Sequence, residues 1–405
     1  MSTIEVNKIT PVSGGTATTL GDSGDTFTVT SGATFNASSS NLANRPNVSP
    51  LWYNGDMAIS QRVTSTTGVT GSGTDGYKAS DRMYMYMNNI GTWTFSQESL
   101  TSGNAYNAGF SKAFRVDCTT ADASPAASDQ FWIGMKFEGQ DLQLIRKGTS
   151  SAQKMTLAFW VKSNKTGTGQ VNFRDTDNSR MCSGTYTISS ANTWEHKVIN
   201  IAADTTGVFT NDNAESLQVQ WWIDAGSNFT SGTAPTAWEA DASADRCANN
   251  LSLADNTAND FAITGIQLEV GEYTSSTLPA FQHESYGDNL ARCQRYFFKR
   301  GLISRLGYGV VGAHTSSAAY GAQVYFPTIM RATPTQSHSN TNTFYFTGAG
   351  QNQLLAAGGT LANEGISKFG VSVGGTASGT LTVGYAYWFN GYVDADQYIQ
   401  WDAEL

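Results

Sequence analysis

The chain has 405 residues, enough for two or three domains. Charged residues make up 14%, against about 25% in an ordinary soluble protein, and glycine is abundant at 41. The formal net charge of −9 argues against nucleic-acid binding, which needs a basic patch to neutralise phosphates. The sparse charge and the 12% aromatic content describe a β-rich protein with a neutral-polar surface, suited to partners such as sugars.

No run of eighteen apolar residues appears, so no membrane insertion is expected, and the opening "MSTIEVNKITPVSGG" lacks the apolar core of a signal peptide. Residues 1–45 scatter single apolar residues among Gly, Ser and Thr, with strand-like alternation in "DTFTVTSGATF". One copy cannot bury enough there to order itself. Either the segment is disordered or identical copies share one core; the regular alternation favours sharing, with three-fold symmetry natural for a thin fibrous element.

Residues 46–283 read as many strands and almost no helix. "RMYMYMNN" sets Arg82, Tyr84 and Tyr86 opposite Met83, Met85 and Met87; "MTLAFWVKS" turns Leu157, Phe159 and Val161 inward. Long polar connectors such as "TSTTGVTGSGTDG" separate them. The expected fold is all-β: a β-sandwich of jelly-roll type.

Within it, "LQVQWWIDAG" places Leu217, Val219, Trp221 and Ile223 on a core face, and Gln218, Gln220, Trp222 and Asp224 on the other. An indole offers a platform to the C–H face of a sugar, while Gln and Asp supply donors and acceptors for its hydroxyls. Trp238 and Glu239 come after a short loop and would join them. Gln218, Gln220, Trp222, Asp224 and Trp238 are therefore the candidate carbohydrate site. The alternative is that Trp222 packs under a loop or against a neighbouring subunit.

Residues 284–300, "ESYGDNLARCQRYFFKR", are the expected helix, with acidic residues at its front, basic ones at its back, and Leu290, Cys293 and Phe297 along one face. One such helix from each chain would gather near a three-fold axis. Residues 301–405 return to strands as a smaller, aromatic and Gly-rich β domain. Arg246 is the only basic residue between Asp204 and Glu272, and Arg292 to Arg305 form a basic stretch. The two would either attract each other or a neighbouring chain, or remain solvated surfaces of opposite sign.

Other motifs weigh little. "GVSVG" (Gly370 to Gly374) matches a nucleophile-elbow pattern but leads into a Gly-rich turn, not a helix. "GSGTDG" (Gly71 to Gly76) lacks a surrounding βαβ unit. Asp175, Asp177 and Asn178 alternate oxygen ligands as calcium loops do, but without the EF-hand's glycine and distant glutamate, and whether any metal binds is left open. Cys118, Cys182, Cys247 and Cys293 are widely spaced and read as buried free thiols. No cofactor is expected, and nothing demands catalysis.

Several stretches resemble a known family. "YNGDMAISQR" looks like the "NGDF…QR" opening strand of sandwich modules in bacteriophage tail fibres and prophage tail proteins. "DRMYMYMNNIGTWTFSQ" is similar to their "DRW…G…SQ" stretch, and "TGIQLEVG" with "CQRYF" after it is the most specific match. The likeness covers roughly residues 50–300. The segments "YFPTIMRATPT" and "YIQWDAEL" resemble stretches downstream of the helix in such fibres, and "IEVNKITPVSGG" resembles N-terminal parts of fibres from marine bacteriophages. The resemblance implies a homotrimeric virion appendage, assembled in the host cytoplasm. Its N-terminal segment would attach to other virion tail proteins, and its jelly roll would contact host surface glycan by multivalent weak binding. It carries over no catalytic residue. The alternatives are a structural connector without receptor binding and a polysaccharide depolymerase; the latter's usual repeat period of about 20–30 residues is missing.

Overall fold

The computed structural model describes residues 50–405 except 72, 74, 302–308, 314, 316–317, 340–343, 349–350, 355–360 and 392–397. The segment 1–45, with its expected role in trimerisation, lies outside the described residues.

Two antiparallel sheets face each other in a jelly-roll sandwich. One has six strands in the order Ser65–Val69, Thr92–Ser99, Lys112–Thr120, Asp260–Val270, Met155–Ser163, Glu195–Ile201. The other has seven: Glu239–Ala240, Arg180–Ile188, Gly167–Asp175, Glu215–Ala225, Gln130–Glu138, Tyr84–Asn88, Gly76–Tyr77. The alternation predicts the inward faces correctly. Leu157, Phe159 and Val161 from the first sheet and Met85, Met87, Val219, Trp221 and Ile223 from the second are all buried in one core. The sheets interdigitate through rings, with centroids 5.3 Å apart for Phe159 and Trp221 and 4.9 Å for Trp93 and Phe131. Each such buried side chain contributes about 2–3 kcal/mol relative to exposure. This core closes within one chain and needs no second copy.

Arg82 departs from the expected pattern. Its φ of 67° breaks the alternation two residues before the strand starts at Tyr84, so its side chain leaves the Tyr84–Tyr86 face. The guanidinium is buried, stacks 3.6 Å over Tyr296 and pairs with Glu404.

The helix is shorter than the sequence pattern predicts. It spans Tyr286–Gln294, and Ser285 caps it by accepting a hydrogen bond from the Asp288 amide. Phe297–Gly301 is instead a strand, paired in antiparallel register with Tyr398–Asp402. Packing overrides helix propensity here: Phe297 is buried and Phe298 stacks on Trp401, 5.6 Å away. The helix face carrying Asn289 and Cys293 is turned toward its own chain. Asn289 donates to Asp56, and Arg292 lies 4.1 Å over Tyr53.

The C-terminal β unit has a three-stranded sheet (Phe297–Gly301, Tyr398–Asp402, Thr335–His338) and a seven-stranded one, ordered Gln351–Leu354, Phe344–Gly348, Ala386–Gly391, Gly309–Ala313, Ala318–Tyr325, Gly370–Thr376, Leu361–Ile366. Its core includes Val311, Val324, Phe344, Val373, Phe389 and Trp401. Gly370–Thr376 being a strand of this sheet, the "GVSVG" stretch forms no nucleophile elbow.

Several residues of the acidic and the basic stretch find their partners elsewhere. Asp204 pairs with Arg180 and Lys147, Asp241 with Arg174 and Arg246, and Asp260 with Arg115. Arg292 and Arg295 pair with Glu284 and Glu138. All four cysteines are buried free thiols, as expected.

Candidate functional site: a groove on the seven-stranded sheet

The outer face of the seven-stranded sheet is built in cross-strand rows. In the first, Trp222 stands opposite Trp132, which stands opposite Tyr86. In the second, Gln220 lies between Asn172 and Gly134, and Gly134 faces Tyr84. In the third, Gln218 lies between Arg174 and Lys136. Gly134 leaves the middle row without a side chain at its centre, and the face sinks there. A groove of about 250 Å³ results, lined by Tyr84, Tyr86, Gln130, Trp132, Lys136, Arg174, Gln218, Gln220, Trp222 and Arg246.

Its aromatic wall is a stack. Tyr86 lies nearly parallel to Trp132 (12°, 6.0 Å), Tyr84 tilts over the same indole at 5.3 Å, and the Lys136 ammonium sits 4.2 Å over Tyr84. Burial pushes the Tyr84 hydroxyl up to about 12, with Asp75 and Glu215 adding to it, so it stays a neutral donor.

The floor is a relay of hydrogen bonds. The Trp222 indole N–H donates to Gln220 (3.3 Å), the Gln220 amide donates to Gln218, and the Gln218 amide donates to Glu215 (2.6 Å). Glu215 in turn pairs with Lys136 at 3.1 Å. Along the far rim Arg174 and Arg246 converge on Asp241, each at 2.6 Å. Burial alone would raise the Asp241 carboxyl, but hydrogen bonds from Arg246 and Arg174 outweigh it and hold that carboxyl below its ordinary range.

Three of the five expected residues, Gln218, Gln220 and Trp222, therefore meet in this groove. Trp222 is a buried wall rather than an open platform, 1% exposed and covered by Phe229 at 5.5 Å. Asp224 is brought elsewhere. A bulge between Trp222 and Asp224 shifts the register, and the carboxylate accepts from the amides of Ala225 and Ala254 and from Asn250, tying down a loop. Burial raises its pKa. Trp238 does not join the face either. It packs in the core between the sheets, donating to the Ala202 carbonyl at 2.7 Å.

The platform residues Tyr84, Tyr86 and Trp132 and the cations Lys136, Arg174 and Arg246 are missing from the sequence-derived set. The alternation in "QFWIGMKFE" already separates Gln130, Trp132 and Lys136 from the core residues between them. Only strand pairing shows that they neighbour Trp222.

The Asp175–Asn178 loop is occupied from within. The Lys147 ammonium reaches Asp175 and Asp204 and donates to the carbonyls of Thr206 (3.1 Å) and Gly207 (2.9 Å). Among the described residues no group of three or more His, Cys, Asp or Glu is placed to hold a metal, and no helix is long and apolar enough to cross a membrane.

Fold and site together define a jelly-roll β-sandwich with one grooved sheet face. No protein-family model matches the chain, and no curated protein does. Among solved structures it is similar to the enzymatically active domain of bacteriophage CBA120 tailspike protein 4 (10% identity, TM-score 0.28), covering 55% of this chain and 21% of that one. It is also similar to the family 11 carbohydrate-binding module of the Clostridium thermocellum cellulase Lic26A-Cel5E (8%, TM-score 0.24; 53% and 99% covered). A third is the CBM22-1 and GH10 modules of the same organism's endo-1,4-β-D-xylanase 10B, complexed with xylohexaose (14%, TM-score 0.22; 53% and 30% covered). The chain thus spans about a fifth of the tailspike domain's length and under a third of the xylanase's.

Proposed function

We propose that this chain is a non-enzymatic bacteriophage tail-fibre or appendage protein that binds host surface glycan through the groove on its seven-stranded sheet. The observation that carries this reading is the convergence, from separate strands, of stacked aromatics with an amide floor and a cationic rim. Such a surface offers a sugar an apolar face and hydroxyl partners together. The groove, at about 250 Å³, is smaller than the roughly 300–1,000 Å³ clefts that enclose drug-sized ligands, in keeping with a weak contact. A millimolar site is worth about −4 kcal/mol, and joining several raises avidity by roughly 10²–10⁴. Copies would be joined as trimers through residues 1–45, which also attach to the virion, as the sequence resemblance implies. Binding without hydrolysis is favoured because the groove lining includes no carboxylate, and Glu215 and Asp241 behind it are each paired to a cation.

The test is adsorption of the purified protein to host cells, with Tyr86→Ala as the groove variant. Adsorption that falls at least tenfold in the variant, with no new reducing ends released from host glycan, is the expected result. No adsorption by the parent protein would favour a structural connector, and steady release of reducing ends would mark a depolymerase.

A further inference from the structure

The donors and acceptors in the groove are unbalanced. Gln218 and Gln220 have each used one carbonyl lone pair and one amide hydrogen in the relay and keep one of each, so the excess of donors comes from the cations. Arg174 meets Asp241 through Nε, and Arg246 meets it through Nε and one terminal nitrogen. The guanidinium fork has five N–H donors, so both retain others. Lys136 meets Glu215 and the Leu405 main-chain oxygen and keeps a third N–H. The exposures point the same way on the arginine rim: the Asp241 side chain is 4% exposed, and those of Arg174 and Arg246 are 30% and 20%. The carboxylate is behind and the guanidinium groups are in front. The groove is thus a donor-rich, locally cationic patch on a chain of net charge −9.

We propose that the groove selects an anionic glycan, whose carboxylate or phosphate group is held by Arg174, Arg246 and Lys136 while a sugar ring lies against Tyr84 and Tyr86, which are braced by the buried Trp132. The proposal rests on the glycan-binding reading above and adds the chemical class of the sugar. Ionised acceptors bind N–H donors roughly twice as strongly as neutral hydroxyls, and a guanidinium fork matches carboxylate and phosphate oxygens in pairs. A neutral sugar would have to satisfy the same donors with hydroxyls alone.

The experiment uses the full chain on an array of polysaccharides, bacterial ones among them, that includes two matched pairs. These are polygalacturonate with its carboxyl-reduced form, and a phosphomannan with its dephosphorylated form. Binding at least tenfold tighter to a charged member than to its neutral partner is expected, and which pair shows it separates carboxylate from phosphate. The preference should weaken with added salt and shrink in both Arg174→Gln and Lys136→Gln, with circular dichroism confirming that each variant is folded. Equal binding to charged and neutral members, lost in Tyr86→Ala, would overturn the anionic selection and leave the groove as a neutral-sugar site. Binding confined to neutral glycans would do the same. No binding anywhere on the array would overturn both readings.

Discussion

Asp241 shows how single residues divide their work between holding the groove and holding the fold. Its carboxyl, depressed by Arg246 and Arg174 against the opposing effect of burial, gives up its proton more readily folded than unfolded. Its stabilisation is complete above the unfolded value near 4 and is lost as the pH falls through the lower folded value. The melting temperature should therefore fall more steeply between about pH 4 and pH 2 in the parent than in Asp241→Asn, and calorimetry across that range checks it. Lys147 poses the converse case. Its ammonium is almost fully buried between Asp175 and Asp204, so Lys147→Met would strand the buried Asp175 carboxylate, while Asp204 would keep Arg180. Breaking such a pair costs about 3–5 kcal/mol, readable as a shifted urea midpoint. At this scale the sequence was legible in part. Gln218 and Gln220 face the groove as their alternation requires. Asp224 and Trp238 do not, because a bulge and a core-bound loop depend on contacts with distant residues. That the open aromatic wall is Tyr84 and Tyr86, backed by the buried Trp132, rather than Trp222 is the work of Phe229, seven residues further on, folding back as a cover.

Strands were legible where apolar and polar residues alternate without interruption, as in Met155–Ser163 and Glu215–Ala225. Boundaries were not. Nothing local marks the end of the helix at Gln294, because its successor Phe297–Gly301 becomes a strand only by pairing with Tyr398–Asp402, about a hundred residues later. The Gln130–Glu138 strand contains a sharper dependence. A Cβ on Gly134 would lie 1.8 Å from the Val219 carbonyl oxygen, so the two central strands approach too closely for any side chain there. Gly134→Ala must push those strands apart at the middle of the groove. We expect a loss of about 1–3 kcal/mol or more and weakened glycan binding, while the C-terminal unit keeps its own hydrogen-exchange protection.

For the whole molecule, the sandwich and the C-terminal unit each enclose a core among the described residues, and the proposed trimer rests on residues 1–45. The oligomeric mass of the full chain, compared with a variant lacking residues 1–45, tests this directly. A trimer that dissociates to folded monomers on truncation is expected, and a monomer in both forms would remove the multivalent mechanism. The composition foretold the all-β class, since sparse charge and abundant glycine leave little else. It did not foretell how the two units are joined.

That junction is a neck. The chain leaves the sandwich at Tyr296 and returns at Ala403, whose amide donates to the Tyr296 carbonyl at 2.8 Å, and just beyond it Glu404 is locked to Arg82 and Arg62. Departure and return are thus stapled together at one spot. Beside it Arg331 donates to the Asn213 carbonyl and accepts from the Asn213 side-chain amide through its own carbonyl, a second clasp that any unit exchanged on the same paired stem would have to reproduce.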